Sequence, residues 1–167
     1  LRWLQERRRV HFNRVDIRDY PKLKMALMDF QPDLVLHLAA QVAVTTSVTN
    51  PRQDFEINAL GTFNLLEAVR ESGLRPALIY ASTNKVYGRM EELRASESES
   101  RYELPDLPQG VPESRPLDFH SPYGCSKGAA DQYVRDYSRI YGLPTVVFRQ
   151  SCIYGPHQFG IEDQGWV

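Results

Sequence analysis

Residues 34–81 read LVLHLAAQVAVTTSVTNPRQDFEINALGTFNLLEAVRESGLRPALIYA, and this stretch decides the fold. It opens with Leu34-Val35-Leu36-His37-Leu38, an apolar run broken only by His37, which predicts a strand covered on both faces. Two small residues, Ala39-Ala40, end it. Asn50 is a helix cap and Pro51 a first-turn proline, so a long helix is expected through Phe55, Ala59, Leu66 and Val69 to a stop at Gly73. Ala77-Leu78-Ile79-Tyr80-Ala81 follows as a second buried strand. Strand, helix and strand in this order form a crossover unit that lays two parallel strands in one sheet.

The alternation continues on both sides. Val10 to Val15 reads as a strand ending at Asp16; Asp19-Tyr20-Pro21 then starts a helix through Leu23, Ala26, Leu27 and Phe30. Downstream, Ser121-Pro122 opens a helix that stops at Gly142 and gives way to the strand Thr145-Val146-Val147-Phe148-Arg149. These elements predict an α/β fold, a Rossmann-like doubly wound parallel sheet with helices on both faces. Residues 89–119 have a different character, rich in Glu, Ser, Pro and Arg with little periodicity. So long a connection is either a disordered insertion or an active-site loop that folds over the elements it joins.

Composition excludes several classes. The chain has 167 residues, the size of one domain, and Lys plus Arg (20) nearly balance Asp plus Glu (21), so no overall field favours nucleic acid or a membrane surface. Arg7-Arg8-Arg9 is the only basic run and reads as a solvated helix end. Cys125 and Cys152 form no C-x-x-C, consistent with free thiols in a reducing compartment, with the cytoplasm as the default. No apolar stretch approaches the roughly 20 residues that span a bilayer.

Doubly wound sheets bind ligands at the carboxyl ends of their strands. Asp16, Ala39-Ala40, Ser82-Thr83 and residues 149–154 all follow predicted strands. Ala39-Ala40 either let a flat cofactor approach the backbone or merely pack a helix. Asn58, polar among Phe55, Ile57, Ala59 and Leu60, anchors neighbouring backbone or reaches a ligand. Tyr123 and Lys127 stand one helical turn apart, a spacing that Tyr20 and Lys24 share without any Ser/Thr-bearing strand end before them. A phenol is a poor base at neutral pH, and a cation at i+4 with an oxidised nicotinamide nearby favours its phenolate. Thr83 adds a hydroxyl that both donates and accepts, suited to holding a substrate oxygen, while Lys127 can also reach a cofactor ribose. His37, His120 and His157 have no metal-ligand spacing, so no metal site is expected, and His37 reads as a satisfied core residue.

Taken in order, five segments resemble the extended short-chain dehydrogenase/reductase family, specifically its nucleotide-sugar epimerases and dehydratases. They are Val15-Asp16-Ile17-Arg18, His37-Leu38-Ala39-Ala40-Gln41, residues 58–68 (NALGTFNLLEA), residues 82–88 (STNKVYG) and residues 121–127 (SPYGCSK). Residues 41–47, Asn84-Lys85, residues 117–133 and residues 158–167 narrow the likeness to members that epimerise C2 of a CDP-hexose. The resemblance implies bound NAD, a nucleotide-sugar substrate and a transient 2-keto intermediate. It implies catalysis by Thr83, Tyr123 and Lys127. Cofactor contacts would come from Asp16, Ile17, Leu38, Ala39, Ala40, Gln41, Asn58, Ser82, Tyr123, Lys127 and Arg149, and substrate contacts from Thr46, Ser47, Asn84, His120, His157 and Gln158. Pairing of two copies through the helices that start near Pro51 and Pro122 is a further expectation.

Two departures matter. Family dehydratases carry an Asp-Glu pair where this chain has Asn84-Lys85, so elimination of water lacks its acid-base couple. No G-x-x-G-x-x-G follows a first strand, and the first strand expected here matches the family's third. Residues 1–167 are therefore expected to be the central part of a single NAD(P)-binding Rossmann-like domain, inactive by itself and weak for NAD.

Overall fold

A computed structural model describes residues 10–151, 153–156 and 158. Along the chain, α1 (Tyr20–Phe30) leads to β1 (Leu34–His37), and a short α2 (Val44–Thr49) precedes a three-part helix. Its parts are α3 (Pro51–Phe55), a π-helical turn (Glu56–Leu60) and α4 (Gly61–Ser72). Then come β2 (Ala77–Ala81), a 3-10 turn (Asn84–Tyr87), the short strands β3 (Ser96–Glu97) and β4 (Tyr102–Glu103), α5 (Ser121–Tyr141) and β5 (Thr145–Phe148). The expected crossover unit is present: β1 and β2 pair in parallel with His37 opposite Tyr80, and β5 joins the other edge of β2 with Phe148 opposite Ala81.

Local chemistry sets the helix ends where the sequence places them. Asp19 accepts from Lys22 N with Pro21 in the first turn of α1, and Asn50 accepts from Gln53 N with Pro51 opening α3. Gly73 and Gly142 stop α4 and α5 in the left-handed conformation, at φ 73° and 65°.

The core lies on one side of the sheet. Leu78 and Tyr80, with Val35 and Val147 beside them, meet Leu27 of α1, Leu65, Leu66 and Val69 of α4, and Ala130, Val134 and Tyr137 of α5. Successive strand residues point to opposite faces, so Leu34, Leu36, Val146 and Phe148 project away from these helices and stay about half exposed. Among the described residues this second face, which the apolar run leads one to expect covered, has no long helix on it. The apolar run is present, but all three long helices among the described residues pack on the same face.

The strand expected at Val10–Val15 is also absent. Val10 and Phe12 are exposed, and no described strand lies alongside to complete a hydrogen-bond ladder, without which an extended segment is not a strand. Arg7-Arg8-Arg9 lie outside the described residues.

Residues 89–119 carry more order than their composition suggests. β3 and β4 form an antiparallel hairpin closed by Ser98 N donating to Arg101 O at 2.9 Å, and Arg115 pairs with Glu92. The far end is tied down by Asp118 N donating to Val86 O at 3.0 Å. Beyond it the Phe119 ring fills the space at Gly128, where an added Cβ would come within 2.4 Å of it. Among the described residues no helix is long and apolar enough to cross a membrane.

Candidate active site

The site forms where β2 ends and α5 begins. After Ala81 the chain turns through Ser82 and Thr83 into the 3-10 turn, and Thr83 Oγ1 accepts from Lys85 N at 3.2 Å to cap it. Ser121 opens α5 at φ 64° and its Oγ accepts from Gly124 N at 3.2 Å, fixing the first turn that delivers Tyr123. A cleft of about 340 Å³ results, lined by Thr83, Asn84, Lys85 and Tyr123, with Val42 and Val44 on one flank and Gln150, Ser151, Ile153 and Gln158 on the other. A second cleft of about 360 Å³, between Tyr87, Arg135 and Phe148, holds none of the expected catalytic residues.

Tyr123, Thr83 and Lys127 are all buried, with relative exposures of 9%, 6% and 4%. Burial raises the Tyr123 phenol above its ordinary range; the Thr83 hydroxyl, by hydrogen bonding, pulls it back down and Asp54 pushes it up. Lys127 is buried one turn further along α5. Its Nζ donates to Ala81 O at 2.5 Å and sits 4.3 Å from the centre of the Tyr80 ring. Burial brings the ammonium down to about 8, against the opposing pull of Asp131 and Asp54. An ammonium has three donors and the described residues take one, leaving two.

The other cofactor-side candidates divide into groups. Leu38 and Ala39 are exposed and Ala40 half-buried at the carboxyl end of β1. Gln41 and Asn58 clasp each other: Gln41 N donates to Asn58 Oδ1 and Asn58 Nδ2 to Gln41 O, both at 2.9 Å. Of the two roles open to Asn58, the one it plays here is to anchor backbone. Ser82 and Arg149 turn inward, to Asp131: Ser82 Oγ donates at 2.8 Å and Arg149 contributes two bonds, with a further one from Arg149 Nη1 to Tyr87 OH at 2.9 Å. Asp16 is exposed and bound to Arg18, whose hydrogen bonds hold its carboxyl down at about 2. Ile17 packs against Gly61, where a Cβ would come within 2.6 Å.

On the substrate side, Asn84 and Gln158 line the cleft, and Asn84 Nδ2 donates to Ser151 Oγ at 3.3 Å. Thr46, Ser47 and His120 do not line it. Ser47 is fully buried with its hydroxyl turned to Val44 O, Thr46 is half-buried in the same short helix, and His120 is exposed just ahead of α5. His157 lies outside the described residues.

His37 is a satisfied core residue. Thr62 Oγ1 gives its proton to Asn58 O at 2.6 Å, so at 2.8 Å from His37 Nε2 it accepts, which fixes the neutral Nε2–H tautomer. Burial lowers this imidazole to about 4, with Lys127 adding to the effect. Tyr20 and Lys24, the other pair at this spacing, serve the packing of the helices. Tyr20 OH and Lys24 Nζ both donate to Glu71 Oε2, at 2.5 and 2.6 Å, and tie α1 to α4. Among the described residues no cluster of three or more His, Cys, Asp or Glu stands ready to hold a metal ion.

Sequence reasoning missed Asp54, Ser126 and Asp131, which hold this site together from behind. The signal was available as helical spacing, since Asp54 lies four residues before Asn58 and Asp131 four after Lys127.

Residues 2–162 match the family model described as GDP-mannose 4,6 dehydratase. The chain is 54% identical over all 167 residues to CDP-paratose 2-epimerase of Salmonella typhi, covering 49% of that protein. It is 35% identical to dTDP-glucose 4,6-dehydratase of Salmonella typhimurium, over 93% of this chain and 44% of the relative. Among solved structures, UDP-glucose 4-epimerase of Thermus thermophilus in complex with NAD superposes with a TM-score of 0.74 at 37% identity, over 92% of this chain and 44% of that one. A double mutant of the dTDP-glucose 4,6-dehydratase DesIV of Streptomyces venezuelae, with NAD and DAU bound, gives 0.75 at 31%, over 94% and 43%. The chain thus spans about half the length of the relatives it matches.

Proposed function

Because the chain belongs to the GDP-mannose 4,6 dehydratase family, within the extended short-chain dehydrogenase/reductases, we propose that the full-length protein is an NAD-dependent nucleotide-sugar epimerase. Its reaction is the inversion of C2 of CDP-paratose to give CDP-tyvelose. One observation carries this reading: Thr83 and Tyr123 meet in the cleft, with Lys127 buried one turn along α5, while Asn84 and Lys85 stand at the adjoining positions. A phenol, a hydroxyl and a lysine serve oxidation and reduction at one carbon. Asn84 and Lys85 offer no carboxylate for removing water from C5 and C6, which speaks against a dehydratase.

The residues present fit the cofactor. The small, accessible Ala39 and half-buried Ala40 leave room for a flat ring beside the end of β1, and Lys127 has donors to spare for a ribose. Bound NAD would supply a reversible hydride acceptor. Thr83 holds the C2 oxygen and Tyr123 takes its proton as the C2 hydrogen departs, leaving a 2-keto sugar. Once the ring presents its other face to the same groups, the hydride returns to C2 as Tyr123 gives the proton back to its oxygen, and C2 is inverted. Net redox is zero, so the cofactor stays bound through turnover. A 4-epimerase, a reductase, and a non-catalytic NAD-binding relative are the competing readings, and all predict C2 of CDP-paratose to remain unchanged.

Residues 89–119 act in this reading as an active-site loop, tied to α5 by Phe119 and to the 3-10 turn by Asp118. Two copies pair through the helices starting near Pro51 and Pro122, whose exposed Phe55, Leu60 and Tyr133 offer apolar surface for it. Light scattering of the full-length protein tests the pairing, and a monomer at micromolar concentration refutes it. The exposed thiol of Cys125 suits a reducing compartment such as the cytoplasm. The function itself is tested by incubating the full-length protein with CDP-paratose and following the C2 proton by NMR.

A further inference from the structure

Asp54 is a carboxylate with only 1% of its surface exposed, and the chemistry described above makes no use of it. It lies in α3, just ahead of the π-helical turn. Its Oδ1 accepts from Gln41 Nε2 at 3.0 Å and Asn58 Nδ2 at 3.1 Å, and its Oδ2 accepts from Ser126 Oγ. These donors belong to three separate pieces of the site. Gln41 is on the loop leaving β1, Asn58 is inside the π-helical turn, and Ser126 is on α5 between Tyr123 and Lys127.

All three donors are neutral. A buried carboxylate satisfied only by neutral donors is far costlier than an amide of the same shape, so packing alone gives no reason for the charge. The reason lies one residue beyond Ser126. Resting on the epimerase reading of this site, we infer that Asp54 is a positioning residue: it locks the first turn of α5 to the loop after β1 and, with Asp131, brings negative charge to the surroundings of Lys127.

The surroundings of Lys127 support the assignment. From β2 it faces the Tyr80 ring and Ala81 O, from β1 the neutral His37, and on its own helix Asp131. Asp131 already has a cation of its own in Arg149. Asp54 has none in contact among the described residues and adds its field to the larger one of Asp131 at Lys127, whose ammonium burial alone would strip of its proton more readily. The same charge opposes ionisation of Tyr123, a penalty that a bound oxidised nicotinamide offsets.

The test is a titration that needs no substrate. In full-length protein carrying 13Cε-lysine, with Lys127→Met identifying the signal, Asp54→Asn should move the Lys127 titration to lower pH by about one unit. In the same variant kcat for CDP-paratose should fall about tenfold with KM nearly unchanged, and the alkaline limb of the pH profile should move down with the lysine. Reciprocally, Lys127→Met should raise the titration of the Asp54 carboxyl, a measurement that does not depend on Asp54→Asn folding. An unmoved lysine in Asp54→Asn, or an unmoved carboxyl in Lys127→Met, overturns the inference. Wild-type protein that leaves CDP-paratose untouched refutes the functional reading instead and leaves both titrations interpretable.

Discussion

Arg149 grips Asp131 with two parallel hydrogen bonds, Nε to Oδ2 at 2.9 Å and Nη2 to Oδ1 at 3.0 Å. Asp131 has no exposed surface, and Ser82 Oγ donates to it as well, so the pair ties β5 and the end of β2 to α5 one turn beyond Lys127. Asp131→Leu leaves a nearly buried guanidinium unpaired and should destabilise the protein by about 3–5 kcal/mol. Adding Arg149→Met should recover most of the loss. Urea unfolding of the three variants measures both effects.

Phe119 and Gly128 form the joint between the loop of residues 89–119 and α5. Gly128→Ala would put a methyl into the Phe119 ring and should destabilise by about 1–3 kcal/mol. Phe119→Ala empties the space that the methyl needs. A double-mutant cycle should therefore show Gly128→Ala to be close to neutral in the Phe119→Ala background.

The His37 imidazole titrates at about 4 in the folded protein against 6.5 unfolded, so between these values the unfolded state binds the extra proton. Stability from this residue is complete above 6.5 and is lost as the pH falls through 4, a swing of about 3 kcal/mol. Urea midpoints recorded from about pH 7.5 to about pH 4.5 should fall more steeply for wild type than for His37→Gln, which cannot titrate.

How far the fold was legible follows from what each element rests on. β1, β2, β5, α1, α4 and α5 are set by local apolar periodicity and by caps at Asp19, Asn50, Gly73 and Gly142, all visible as residue types. Val10–Val15 carries the composition of a strand, but strands exist through their neighbours, and composition does not supply one. The π-helical turn around Asn58 likewise depends on how the helix meets α5. Of the site, Tyr123, Lys127 and Thr83 could be read because their chemistry needs fixed spacing. The tie of Ser82 and Arg149 to Asp131 is not legible, because Asp131 lies far from both in sequence.

Tyr123→Phe removes the group that moves the proton while leaving the buried ring. In the full-length protein it should lower kcat by about 10²–10⁴-fold with little change in nucleotide-sugar affinity. Steady-state kinetics together with calorimetric binding of CDP-paratose separates the two effects.

The most direct test is the fate of the C2 hydrogen in D₂O. Full-length protein incubated with CDP-paratose should give CDP-tyvelose in which C2 is inverted and still carries protium, with no NADH released in proportion to product. Deuterium at C2, inversion at C4, or loss of water across C5 and C6 would contradict the account.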